Sequence, residues 1–351
     1  MSRPRRTASA PPVMSIVTLV SILGLAACTG AGPSDVVDQP GSTHAAAGTK
    51  GTVDLFAYAV SKVAFDEVIP AFQRTAAGTG VGFQQSYGAS GDQSRKVAAG
   101  AEADLVTFSV EPDVTRLVDA GLVDPHWNAG EHAGVPFGSV VTFVVRDGNP
   151  KGITDWDDLL RPGVEVVTPN PFSSGSAKWN LLAPYAATSQ GGTDPAAGLD
   201  YVGRLIREHV RIQPKSGREA TEAFLQGRGD VLLSYENEAL FIEANGDPVE
   251  HVTPPQTVRI ENPAAVLKTS RNPRLAQAFN DYLYTPAAQR LLAGAGFRPV
   301  DAGVAAEFAS RFPTPEKLWT VADLGGWPSV DHSLFDRESG AIAAIYEAMT
   351  Q

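Results

Sequence analysis

The chain of 351 residues has one cysteine, Cys28, and three methionines. A single thiol cannot form an internal disulfide, so stability has to come from an ordinary apolar core. Zinc patterns built on paired cysteines are excluded, and the six histidines (44, 126, 132, 209, 251 and 332) are scattered without metal-ligand spacing. No Gly-x-Ser-x-Gly elbow and no Ser-x-x-Lys occurs, which removes two common serine nucleophiles and argues against a hydrolase. Basic charge is scarce: 28 Lys and Arg stand against 39 Asp and Glu, a formal net charge of −11. That balance argues against a nucleic-acid partner or a polybasic membrane patch. Val13 to Leu25 is mostly apolar but falls short of the roughly 20 residues that a membrane span needs.

The beginning of the chain reads as an address. Arg3, Arg5 and Arg6 form a positive n-region, the apolar stretch follows, and Leu25-Ala26-Ala27 leads into Cys28. The spacing predicts a lipoprotein signal peptide over 1–27, with Cys28 acylated as the mature N-terminus. The Arg5-Arg6 pair raises twin-arginine export, but apolar residues do not directly follow it. Loss of the signal removes three arginines and no acid, taking the formal charge to −14. Residues 28–50 are rich in Gly, Ala, Ser, Thr and Pro and predict a flexible tether.

From Thr52 onward short apolar runs alternate with helical patterns, which predicts an α/β fold with mostly parallel sheets. Strands are predicted at Thr52–Tyr58, Ala103–Ser109, Val140–Val145, Val164–Thr168, Val231–Tyr235 and Ala264–Lys268. Helices are predicted at Val63–Arg74, Pro112–Ala120, Ala177–Thr188, Gly198–Glu208, Arg218–Gln226, Glu238–Asn245, Pro273–Tyr284 and Pro286–Ala293. The chain is long enough for two lobes.

Two small-residue turns stand out. Ser86-Tyr87-Gly88-Ala89-Ser90-Gly91-Asp92-Gln93 lies between an apolar-alternating run and the helical pattern Ser94–Ala99, and Ser173-Ser174-Gly175-Ser176-Ala177-Lys178-Trp179-Asn180 follows Val164–Thr168. Such turns leave backbone N–H groups pointing out of a helix start, a place built for an anion. In an acidic chain an anion site works through local dipoles against the overall field.

Together with Glu102-Ala103-Asp104-Leu105-Val106-Thr107, Gly148-Asn149-Pro150-Lys151, Thr168-Pro169-Asn170-Pro171, Gly229-Asp230-Val231, Glu236-Asn237-Glu238, Phe297-Arg298-Pro299 and Gly325-Gly326-Trp327, these turns resemble the bacterial sulfate-binding proteins. Those are the extracytoplasmic receptors of sulfate ABC importers, and the likeness, closest to the lipid-anchored actinobacterial form, covers nearly all of 52–330. The resemblance implies a two-lobed periplasmic-binding-protein clamshell of type II: lobe I from 51–139 plus 257–351, and lobe II from 140–256. It implies no enzymatic activity and no cofactor. Sulfate sits in the cleft, held by donors from Ser90 and Gly91, from Ser174, Gly175 and Ser176, from the turn at Gly217 and Arg218, and from the side chain of Tyr235, with Lys178 in support. It further implies a monomer on the outer face of the cytoplasmic membrane, handing its anion to a permease and ATPase. Thiosulfate and molybdate are the alternative ligands. Ala59 stands where the family pattern has aspartate, Ser176 and Lys178 where Gly and Arg are usual, and Tyr235 where a tryptophan precedes Glu-Asn-Glu. Sulfate accepts hydrogen bonds and has none to give, so a site of donors alone suits it, and Ala59 provides no acceptor for a protonated phosphate. Trp179 and Trp327 are expected to pack, Asp104 to be an internal acceptor, and Glu236 and Glu238 to face a hinge or the surface.

Overall fold

The computed structural model describes residues 50–350; the signal segment, Cys28 and the tether up to residue 49 lie outside the described residues. Two sheets organise the chain. The first takes β1 (Gly51–Tyr58), β2 (Val81–Gly88), β3 (Leu105–Thr107) and the distant β10 (Ala264–Val266), in the order β10-β3-β1-β2. Val53, Leu55 and Ala57 alternate inward and are fully buried, the period-two pattern of a strand. β1 pairs in parallel with β2 from Gly51↔Val81 to Tyr58↔Gly88, and with β3 at Ala57↔Thr107, so all three end along one edge.

The second sheet is built around β4 (Phe137–Arg146), nine of whose ten residues are buried. Its order is β12-β9-β4-β7-β5-β6, where β5 is Val166–Val167, β6 Val210–Ile212, β7 Val231–Tyr235, β9 Gln256–Asn262 and β12 Lys317–Trp319. β8 (Val249–Val252) and β11 (Arg298–Pro299) also pair with β4. β5, β6 and β7 are mutually parallel, whereas β4 runs antiparallel to β7, β8 and β9, so this sheet is mixed. The alternation of apolar runs carries no direction; only the connection lengths do, and β8 and β9 return without a helix between them. β12 extends the second sheet, and Gln213 Nε2 donates to Tyr346 OH at 2.8 Å. The segment after 317 therefore packs with β6 and β9 rather than wholly with the first sheet.

Six helices follow parallel strands, α1 (Lys62–Gln73), α2 (Ser90–Ala98), α3 (Glu111–Asp119), α4 (Gly175–Thr188), α6 (Gly217–Leu225) and α7 (Glu236–Ala244); α5 (Pro195–Arg204) continues from α4, and α8 (Pro273–Leu283) and α9 (Pro286–Gly294) come after β10. α1 buries Ala64, Phe65, Val68, Ile69 and Phe72, the spacing of one helical face. Phe72, Phe83 and Phe279 meet edge to face with centroids 4.7–6.1 Å apart, and Phe137 meets Phe297 at 4.9 Å. Asp104 is the expected internal acceptor: its carboxylate takes bonds from the amides of Asp54, Arg271 and Asn272. Trp179 and Trp327 pack edge to face at 4.9 Å, both buried. Among the described residues no helix is long and apolar enough to cross a membrane, and no cluster of side chains has metal-ligand composition.

Candidate functional site

In both sheets the loops that matter leave the C-terminal ends of parallel strands, where open α/β sheets place their ligands. The first sheet sends residues 59–61 from β1, α2 from β2 and Ser109-Val110 from β3. The second sends α4 after β5, α6 after β6 and α7 directly after Tyr235 of β7.

α2 opens at Ser90, four residues ahead of the helical pattern visible in the sequence. Its N-cap is Ala89, which has no side-chain acceptor to offer. α4 opens at Gly175 with Ser174 as N-cap, yet that hydroxyl caps nothing; it pairs with Ser176 Oγ at 2.7 Å. Ser90, Ser174 and Ser176 are 2%, 3% and 5% exposed. A buried helix start lacking a cap is costly unless something accepts from its first amides. α2 and α4 both begin this way, as does α7 behind Tyr235. α6 differs, because Ser216 Oγ accepts from the Glu219 amide at 3.2 Å and serves as its cap.

These helix starts converge so closely that a Cβ would clash at Gly175 and Gly91 and be tight at Gly217. A Cβ on Gly175 would stand 2.6 Å from Ser109 Cβ and 2.9 Å from Val110 Cγ2. One on Gly217 would meet Ser176 Oγ at 3.0 Å and Val60 Cγ2 at 3.2 Å. One on Gly91 would reach Ser173 O at 2.9 Å, the same atom that accepts the Gly91 amide at 3.0 Å. The two sheets' loops thus touch, and the cleft between them is shut. The Gly91 amide, expected from the sequence to face the anion, is spent on this closure, donating to Ser173 O.

Ser109 is the node that sequence reasoning missed. Its amide donates to Ser90 Oγ at 2.9 Å, its carbonyl accepts from Trp179 Nε1 at 2.7 Å and Asn262 Nδ2 at 3.3 Å, and its hydroxyl lies 3.0 Å from Tyr235 OH. The signal was available: Ser109 falls just past the C-terminal end of β3, where small polar residues deserve weight. Ser90 Oγ gives its proton to Asp113 Oδ2 at 2.6 Å, and Arg116 holds the other oxygen of Asp113 at 2.8 Å. Tyr58, the last residue of β1, packs its ring 6.4 Å from that of Tyr235, and its buried hydroxyl has no partner. Burial pushes both phenols above their ordinary range, so both remain protonated donors.

Charge is kept at one remove. Arg218 sends its guanidinium to Glu238, 3.1 Å away and fully buried, and stacks over Phe241. Burial raises the Glu238 carboxyl even with Arg218 beside it. Lys178 pairs with Asp331 and lies over Phe335, which turns its ammonium toward the C-terminal segment. A cavity of about 190 Å³ runs along this flank, lined by Gly91, Ser174, Gly175, Lys178, Arg95 and Arg116 among others. It borders four of the expected residues, Gly91, Ser174, Gly175 and Lys178, but not Ser90, Ser176, Gly217, Arg218 or Tyr235. Glu236 is also buried, gripped by Arg298 through bonds of 2.7 and 2.8 Å, so neither glutamate is at the surface.

Residues 53–298 match the family model described as bacterial extracellular solute-binding protein. The sulfate-binding protein of Synechococcus elongatus is 37% identical over 92% of this chain and 94% of its own length. That of Escherichia coli is 36% identical over 77% of this chain and 85% of its own. Among solved structures, the sulfate-binding protein SubI from Mycobacterium tuberculosis superposes with a TM-score of 0.81 at 63% identity, over 82% of this chain and all of that one.

Proposed function

The chain belongs to the bacterial extracellular solute-binding proteins, a non-enzymatic extracytoplasmic class, and from that premise we propose that it binds sulfate in the closed cleft and delivers it to an ABC importer. The observation that carries this reading is the pair of buried, uncapped helix starts, α2 and α4, brought together across the cleft. Each positive helix end favours an anion by about 0.3–1 kcal/mol, more when buried. The binding set we propose is Ser90, the Ser174-Gly175-Ser176 turn, the Gly217-Arg218 turn through its backbone, and Tyr235. Gly91 and Lys178 act from outside it, Gly91 by joining the lobes and Lys178 through its link to Asp331. Hydrogen bonds to a charged partner contribute about 1.5–3 kcal/mol each. Six of them exceed the roughly 8 kcal/mol of micromolar binding by a margin that covers desolvation. Ser90 contributes through its backbone N–H at the start of α2, because its one hydroxyl proton is held by Asp113 Oδ2.

Sulfate at a hundredfold excess over Kd should stabilise the protein by about 2.7 kcal/mol, read as a rise in melting temperature that is nearly constant from pH 5 to 8. Equal stabilisation by phosphate across that range would refute the donor-only site. The anchor is the second part of the proposal: Cys28, beyond the described residues, carries a lipid, and 29–50 tether the folded part to the outer face of the cytoplasmic membrane. Cys28→Ala should leave sulfate binding intact and release the protein from membranes. Membrane retention of that variant would overturn the lipoprotein reading.

A further inference from the structure

Three hydrogen bonds that cross the cleft between the two sheets' loops accept at backbone carbonyls. Trp179 Nε1, on α4, donates to the Ser109 carbonyl beyond β3 at 2.7 Å. Arg95 Nη2, on α2, donates to the Phe172 carbonyl at 3.2 Å, and the Gly91 amide donates to that of Ser173 at 3.0 Å. A carbonyl oxygen repels a dianion that it faces. Closure gives these three oxygens donors from the opposite sheet, and the donors stand outside the proposed binding set. The two side-chain bonds differ in setting. Trp179 is fully buried, its ring edge to face with that of Trp327, so its indole N–H reaches no water while the cleft is shut. The Arg95 side chain is 45% exposed and pairs with Asp92 on its own helix.

We propose that Trp179 and Arg95 are positioning residues that clasp the lobes, Trp179 in the buried part of the contact and Arg95 at its exposed edge, and so set how long an anion is held rather than how fast it is captured. The idea rests on the sulfate reading of the cleft. Donor and acceptor of each bond come from different sheets, so the bonds exist only once the lobes have met. An anion enters while the lobes are apart, and its rate of capture does not feel the clasp. To leave, it must wait for the lobes to part, and parting breaks both side-chain bonds. Their strength therefore enters the dissociation rate. The Ser109 carbonyl keeps a second partner, Asn262 Nδ2 at 3.3 Å, so removing the indole N–H does not strand it.

The test measures sulfate affinity by calorimetry and koff by rapid-filtration exchange of radiolabelled for unlabelled sulfate, with kon taken from the two. Trp179→Phe keeps an aromatic ring against Trp327 and removes the N–H; koff should rise about fivefold with kon unchanged. Arg95→Ala should raise koff about two- to threefold, because solvent screens the outer bond. Ligand-free melting curves establish that each variant is native, and if Trp179→Phe does not fold, Arg95→Ala decides alone. An unaltered koff in Trp179→Phe, or in Arg95→Ala where it stands alone, overturns the proposal. So does a loss of affinity carried by a slower kon. Failure of the parent protein to bind sulfate would instead overturn the sulfate reading.

Discussion

Gly175 shows how much one residue decides here. Nothing in its backbone angle demands glycine; the demand comes from Ser109 and Val110 of the facing loop, too close for a Cβ. Gly175→Ala should therefore fold normally but resist closure, because the clash exists only when the lobes meet. We expect sulfate Kd to weaken about tenfold or more. Small-angle scattering should show no compaction on adding sulfate, and normal compaction with unchanged affinity would refute the argument. The sequence already marked Gly175 as part of an anion turn, since small residues between a strand and a helix are visible locally. It marked Ser109 only by its place at the end of a strand and could not show its partners Ser90, Trp179, Tyr235 and Asn262, which are 19 to 153 residues away along the chain. Nor could it tell that the Gly91 amide is taken by Ser173.

At the level of elements, β4 and β9 join the parts of the molecule. The first half of β4 pairs with β9 and β11, and its second half with β7 and β8. The start of α7 is fastened to this region by Glu236, whose carboxylate takes a two-pronged grip from Arg298 of β11. Glu236 is 1% exposed and the Arg298 side chain 17%, so removing one partner strands a largely dehydrated charge. Glu236→Gln should cost about 3–5 kcal/mol of unfolding free energy by urea titration. A loss below about 1 kcal/mol would mean that solvent screens the pair. Helices with one apolar face, such as α1 and α8, were legible because their period is carried by the residues themselves. β9 was missing from the expected strands although Arg259 and Glu261 alternate with Val258 and Ile260, the period-two pattern of a half-buried strand.

For the whole molecule the titrating groups pull in opposite directions. Hydrogen bonds from Thr320 and Ser339 hold the carboxyls of Asp323 and Asp336 below the usual range, and Arg290 does the same for Glu307. A depressed carboxyl stabilises the fold above its unfolded pKa and loses that contribution as pH falls through its folded value. Burial does the reverse for Glu238, Glu111 and Glu261, whose raised carboxyls favour the folded state at low pH and cease to do so as pH rises. Melting temperature should thus fall as the depressed carboxyls protonate at low pH, and a second decline should follow as pH rises through the raised carboxyls. Glu238→Gln should flatten the second decline, because the amide needs no proton to be neutral. An unchanged slope in that variant would exclude Glu238 as its source. Sulfate-induced stabilisation should stay level throughout pH 5 to 8, since the buried phenols keep their protons there.

The sequence by itself determined the class of the protein: the strand and helix alternation, the two anion turns, the absence of nucleophile and metal patterns, and the ordered motifs that lead to the solute-binding family. Those features are local, each set by the conformational preferences and burial needs of a few neighbouring residues. The tertiary structure decided which donors are free and which are already engaged. Ser90 gives its proton to Asp113, Gly91 binds the opposite lobe, Arg218 turns to Glu238, and Tyr235 meets Ser109. A hydrogen bond depends on the position of its second partner, and in a cleft made by two sheets that partner comes from a distant part of the chain.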